Sequence, residues 1–119
     1  MCIRDRCALC DACVSELLQV CDEVNGRWLV TADHGNADDM VQRDKKGAPL
    51  RGEAGELLPL TSHTLAPVPV AVGGAGLPAN IVFRTDLPEA GLANVTATYM
   101  ELLGYAAPAN YQPSLLKSV

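Results

Sequence analysis

The chain has 119 residues, 49% of them apolar and 19% charged, which fits one small globular domain or a piece of a larger one and excludes a disordered segment. Its net charge of −5 argues against nucleic acid and anionic membranes as partners, because both call for a basic face. No apolar run nears the roughly 20 residues of a membrane span and no secretory apolar region opens the chain, so the cytoplasm is the expected location. A small anionic substrate stays compatible with this charge, since metals and local arginines can outweigh it.

Met1 to Arg6 fits no pattern. From Cys7 to Val24 the spacing predicts a helix, with Cys10, Cys13, Val14, Leu17, Leu18, Cys21 and Val24 on one stripe. All five cysteines fall within the first 21 residues, and Cys7-x2-Cys10-x2-Cys13 has the spacing of ferredoxin-type ligands, which admits a cysteine-cluster redox module. The helical stripe favours a plainer reading. Cluster ligands sit on loops with Gly or Pro nearby, and none occurs before Gly26, so Cys10, Cys13 and Cys21 are expected as buried core thiols. Disulfides are not expected in a cytosolic protein.

Asn25-Gly26 signals the end of that helix, and the apolar run Trp28 to Val30 predicts a buried strand, which together make the αβ half of a βαβ unit. Asp33 and His34 follow, then Gly35-Asn36. Along a continuing strand these two side chains would point to opposite faces. If the strand stops, Gly35 lets the backbone swing and both can converge at its carboxyl end, where open α/β sheets carry their ligands. A carboxylate beside a neutral imidazole suits Mn²⁺ or Zn²⁺ better than Ca²⁺ or Mg²⁺. The bland alternative is a turn in which Asp33 caps and His34 is solvated.

Ala37 to Gln42 is read as one or two helical turns, and 43–47 as a solvated turn. Residues 44–60 have no period and are read as a loop with a short hairpin; Asp38 and Asp39 before it and Glu53 and Glu56 within it are read as surface charges. His63, the other histidine, precedes the proline-bounded strand Val68 to Val72, where Pro67 and Pro69 hold the chain extended. A lone histidine in such a loop is usually structural. Two histidines beside two strand-like runs are what a metal site built from separate loops needs.

Gly73-Gly74-Ala75-Gly76 is a turn rather than a phosphate cradle, because no lysine or helix start follows in the Walker pattern. Ile81 to Phe83 predicts a short strand, with Arg84 beyond it a surface residue. The last helix spans about Leu92 to Leu103, packs through Val95, Tyr99, Leu102 and Leu103, and is capped by Gly104. No internal repeat, linker or second domain is visible.

LVTADHGNADDM from Leu29, followed by TSHTLAPVPV from Thr61, resembles the carboxyl-terminal part of the cofactor-independent (2,3-bisphosphoglycerate-independent) phosphoglycerate mutase family, alkaline-phosphatase-like metalloenzymes. The segment Asp86 to Tyr105 and the tail Pro108 to Leu116 are similar to that family's ending, so the likeness runs from about Cys7 to Leu116.

The resemblance implies an α/β fold, a partial alkaline-phosphatase-like sheet flanked by helices. Residues 7–119 would be the C-terminal part of the metal-binding phosphatase-like domain, and residues 1–6 a non-family, artefactual start where the family has a metal-binding loop. It implies an isomerase that interconverts 3-phosphoglycerate and 2-phosphoglycerate through a phosphoserine at a two-metal site. By motif match, Asp33 and His34 bind the metal that also holds the serine, and His63 binds the other. The metals implied are Mn²⁺, with Zn²⁺ or another divalent ion as alternatives. The partner is the phosphoglycerate substrate, with no nucleic acid or membrane, in a cytoplasmic monomer. The nucleophile and the substrate domain lie upstream in the family, so no catalytic residue is assigned here and Ser62 is not promoted. Ala66 stands where the family commonly has Asn.

On this reading the chain is a fragment, inactive alone, weak in Mn²⁺ binding and left with an uncovered parallel-sheet edge. A sister phosphopentomutase or phosphatase shares the Asp-His and His pattern and is the nearest rival.

Overall fold

In the computed structural model, residues 3–119 are described, and they form two compact units. The first comprises the chain up to Val30 together with Ala71–Val119, and the second is Thr31–Val70.

The first unit opens with helix α1 (Ile3–Glu23). It contains no glycine or proline, and gains a Gln19 to Glu23 side-chain hydrogen bond one turn apart (3.1 Å). Its end is a Schellman motif. Asn25 takes the left-handed conformation (φ 54°), the Gly26 N–H donates to Cys21 O (2.7 Å) and the Asn25 N–H donates to Asp22 O (3.0 Å). Asparagine fills the left-handed position because its short polar side chain tolerates it better than most.

Strand β1 (Trp28–Thr31) follows at once and pairs with β2 (Val70–Gly73) in a two-stranded sheet. β2 begins two residues later than Val68, since Pro69 has no N–H to give a ladder. The glycine run after β2 is a turn, and close approach explains its composition. A Cβ on Gly73 would collide with the Trp28 ring, and one on Gly74 with Gly26 O. The turn is tied down by the Ala75 N–H donating to Asp22 (2.9 Å) and by Arg27, whose Nε donates to Gly76 O and whose guanidinium also reaches Leu102 O (2.8 Å each).

Strand β3 (Ile81–Phe83) pairs antiparallel with β4 (Leu116–Ser118), in the register Ile81–Ser118, Val82–Lys117 and Phe83–Leu116. A 3-10 turn (Leu92–Asn94) leads into helix α2 (Val95–Leu102), and Gly104 ends it at φ 86°. Here lies the core: Ala97, Leu102, Leu115 and Leu116 are the buried apolar side chains among the described residues, with Asn94 and Thr98 buried beside them. The two polar residues are fully occupied. Thr98 Oγ1 donates to Asn94 O (2.7 Å) and accepts from the Leu115 N–H (2.8 Å). Asn94 donates to Pro113 O (2.7 Å) and accepts from the Gly91 N–H (2.9 Å). The tail is therefore bound to α2 through backbone groups that satisfied side chains hold, which is what burial of polar atoms requires.

The second unit is a run of hairpin bridges. Val41 pairs with Pro59, Arg43 with Pro49 and Arg51 with Leu57, all antiparallel. The hairpin expected within 44–60 is there, with Gly47 (φ 84°) and Gly55 (φ 82°) at its tight turns.

Three expectations need correction. Cys7, Cys10 and Cys13 are exposed and Cys21 is only half-buried, so they are not core thiols. Periodicity marks an apolar face but not the element that covers it, and only Val14, Leu18 and Cys21 of the stripe are shielded. Ala37 to Gln42 is not helical, because its backbone is committed to the Gln42–Leu58 and Leu60–Met40 hydrogen bonds. Tyr99 and Leu103 are more than half exposed, leaving Leu102 with Ala97 and Thr98 as the packed face of α2. Among the described residues, no helix is long and apolar enough to cross a membrane.

Candidate metal centre

Asp33, His34 and His63 all belong to the second unit. β1 stops at Thr31, whose hydroxyl donates to Pro69 O (2.9 Å), and the backbone bends at Asp33–His34. It then makes one antiparallel bridge, Gly35 with Thr64, in which each N–H donates to the other's carbonyl (Gly35 N to Thr64 O 3.3 Å, Thr64 N to Gly35 O 2.8 Å).

That bridge explains the site. In extended chains neighbouring side chains alternate in face, so the residues flanking a bridged pair share the face opposite to it. His34 precedes Gly35 and His63 precedes Thr64, so both imidazoles fall on one side. Their ring centroids are 3.5 Å apart and their planes 14° from parallel. The bridge needs glycine at 35: this residue is buried, and a Cβ there would run into Thr64 Oγ1 and Asp38 Oδ1. Thr64 in turn donates its hydroxyl to Asp38 (2.8 Å to Oδ2, 2.9 Å to Oδ1), which fixes the bridge from its other face. Asn36 adds a longer bond to Ser62 O (3.4 Å).

The donor chemistry is also defined. His34 Nδ1 lies 3.0 Å from Gly35 O. A carbonyl can only accept, so in the neutral imidazole this bond places the proton on Nδ1 and leaves the lone pair on Nε2. Nε2 faces Asp33 Oδ1 at 3.5 Å, and the Asp33 side chain is 89% exposed. In the neutral ring two acceptors then face each other, an arrangement that a cation relieves. The spacing fits as well: two N/O donors at 2.0–2.2 Å from one tetrahedral ion stand about 3.4 Å apart.

The two histidines do not converge on a single ion. Their lone pairs lie in nearly parallel ring planes, so each aims at its own position. Accordingly, no group of three or more His, Cys, Asp or Glu side chains able to hold one metal exists among the described residues. These residues fit a two-donor half-site at Asp33–His34 with a one-donor half-site at His63 beside it.

A family model of the metalloenzyme superfamily matches residues 4–107. The chain belongs to the metalloenzyme superfamily. Among its curated relatives, a 2,3-bisphosphoglycerate-independent phosphoglycerate mutase of Trypanosoma brucei brucei is 62% identical over 107 residues, which is 90% of this chain and 19% of that protein. The enzyme of the same name from Ricinus communis is 50% identical over 113 residues, 95% of this chain and 20% of that one. A crystal structure of Leishmania mexicana phosphoglycerate mutase at low cobalt concentration superposes with a TM-score of 0.84 and 59% identity, over 92% of this chain and 20% of the other. The chain therefore spans about a fifth of the length of the relatives it matches. The α/β class expected from the sequence agrees with this neighbour and with the superfamily.

Within this superfamily member, sequence reasoning passed over Asp38 and Thr64. Asp38 is exposed, as a surface charge should be, and in addition it accepts the Thr64 hydroxyl beneath the bridge. A signal existed: Gly35 directly follows one histidine and Thr64 the other, a mirrored placement that the bridge exploits. The rival cysteine cluster finds no support in the geometry. On the continuous helix α1, Cys7 and Cys13 are six residues apart, about 9 Å along the axis, and cannot reach one cluster. Ser62 offers its backbone carbonyl to Asn36.

Proposed function

We propose that this chain is the metal-ligating carboxyl-terminal segment of a 2,3-bisphosphoglycerate-independent phosphoglycerate mutase, which interconverts 3-phosphoglycerate and 2-phosphoglycerate through a phosphoserine. Residues 7–119 correspond to the C-terminal part of its phosphatase-like domain. The location proposed is cytoplasmic, and the whole enzyme a monomer. What supports this reading most is the pairing of His34 and His63, from two separate segments, at 3.5 Å in a chain 62% identical to such an enzyme.

In this reading Asp33 and His34 hold one divalent ion and His63 contributes to a second, both Mn²⁺ in the native protein. Such ions, when bound, lower the pKa of a coordinated hydroxyl and balance charge on a transferring phosphoryl group. This chain's own residues orient the donors. Gly35 O fixes the His34 tautomer by accepting from Nδ1, so that Nε2 is the ligating atom. The Gly35–Thr64 bridge holds the two loops in register, and Asp38 holds Thr64. The Asp33 carboxylate, exposed and acceptor-only, is open to an ion from solvent. No nucleophile is assigned to this chain, and isolated it is expected to show no mutase turnover.

The test is a chimera in which this chain replaces the corresponding fifth of the trypanosomal enzyme. Mutase activity is expected, and Asp33→Ala, His34→Ala or His63→Ala should each reduce it by at least 100-fold (~3 kcal/mol). Full activity in all three variants would refute the ligand assignment.

A further inference from the structure

The three exposed thiols of α1 are not used by the site above, and their geometry is specific. Cys7 and Cys10 are three residues apart, as are Cys10 and Cys13, and all three lie exposed on one helix. Residues at this spacing are neighbours on a helix surface, with Cβ atoms about 5–6 Å apart. A disulfide needs Cβ atoms about 3.5–4.5 Å apart, so a direct S–S bond would force α1 out of helical geometry. One soft atom placed between the sulfurs changes this. With metal–sulfur bonds of about 2.3 Å, the sulfurs stand roughly 3.5–4 Å apart instead of about 2 Å, and the regular helix spans the difference. Cys7 and Cys13 are turned about 240° from each other and cannot share an atom, while Cys21 lies eight residues beyond Cys13. No three-donor set exists here among the described residues, so the ligand must be content with two thiolates.

We infer that Cys10 is the shared member of a helical dithiol, paired with Cys7 or with Cys13, that chelates one soft centre satisfied by two sulfurs, such as a trivalent organoarsenical. For an arylarsine oxide the step balances without redox chemistry. Two As–S bonds form, the As=O bond breaks, and the oxygen leaves as water with the two thiol protons, arsenic staying trivalent.

The experiment loads the whole 119-residue chain with phenylarsine oxide and reads intact mass after washing with excess 2-mercaptoethanol. Cys2 lies outside the described residues and is replaced by Ser in every sample. One arsenical per chain should survive the monothiol and be removed by a dithiol. The second sulfur acts intramolecularly, so resistance to the monothiol should exceed that of any single-thiol adduct by about 100-fold or more. Cys10→Ser, and the double variant Cys7→Ser/Cys13→Ser, should lose this resistance, while Cys21→Ser keeps it. Retention of one pair in Cys7→Ser or in Cys13→Ser identifies which partner Cys10 uses. Monothiol-sensitive labelling of the parent chain, or undiminished resistance in Cys10→Ser, would overturn the inference. Cys7, Cys10 and Cys13 are exposed, and unchanged far-ultraviolet dichroism shows that the helix persists in each variant.

Discussion

The tail segment around α2 and the histidine loops of the second unit are held together in opposite ways. Around α2, Leu102, Leu115 and Leu116 are buried, and Thr98 and Asn94 bond the backbone of Gly91, Asn94, Pro113 and Leu115. In the loops only Gly35 is buried, and the geometry rests on one backbone bridge, one hydroxyl–carboxylate contact and two stacked rings. The first arrangement draws its strength from apolar area; the second draws precision from hydrogen bonds in a wet environment, each worth about 0.5–1.5 kcal/mol. On the proposed function, stability and metal binding are therefore carried by different residues, and a substitution can damage one and spare the other.

The largest effect should come from Leu116→Ala, which opens a cavity in the core and is expected to cost about 2–4 kcal/mol, read by urea unfolding. If the comparison holds, the His34–His63 ring contact survives in the remaining folded fraction, seen as a nuclear Overhauser effect between the imidazoles. Thr98→Val is next. It leaves the Leu115 N–H unpaired in a buried place and should cost about 1–3 kcal/mol, with amide exchange quickening at Leu115 and neighbouring residues. Thr64→Val removes the contact with Asp38 and should cost no more than about 1 kcal/mol of stability. Its effect on Mn²⁺ affinity should be the larger one, a several-fold loss by calorimetry, because it slackens the bridge. Equal losses of stability and affinity in all three variants would dissolve the distinction.

The smallest effect concerns pH. Arg84 donates two hydrogen bonds to Asp86 (2.7 and 3.2 Å) and holds its carboxyl down to about 2. A carboxyl whose folded pKa is depressed stabilises the fold above its unfolded value near 4, and that contribution is lost as pH falls through about 2. Because the pair is exposed the slope should be slight, and Asp86→Asn should remove it from acid unfolding curves.

What could be read from the sequence follows the range of the forces involved. β1, β3, α1 and both helix ends are local: apolar runs, a helical period, Asn25-Gly26 and Gly104 each act within a few residues. β4 was illegible, because Leu116-Lys117-Ser118 has no strand signal of its own and becomes extended by pairing with Ile81–Phe83. The same limit hid the exposure of Cys10 and Cys13, since a stripe does not name its neighbour. At the site, the sequence pointed to Asp33, His34 and His63 as a set, and the fold brings the two rings together. It could not show Asp38 under the bridge, a contact across 26 residues.

The most direct measurement of the central claim is a Co²⁺ titration of the chain followed by imidazole NMR. If the bridge presents both rings at adjoining half-sites, the His34 and His63 signals broaden over the same concentration range, and Asp33→Ala weakens the response of both. Broadening of one histidine alone, or a response indifferent to Asp33, would contradict the account.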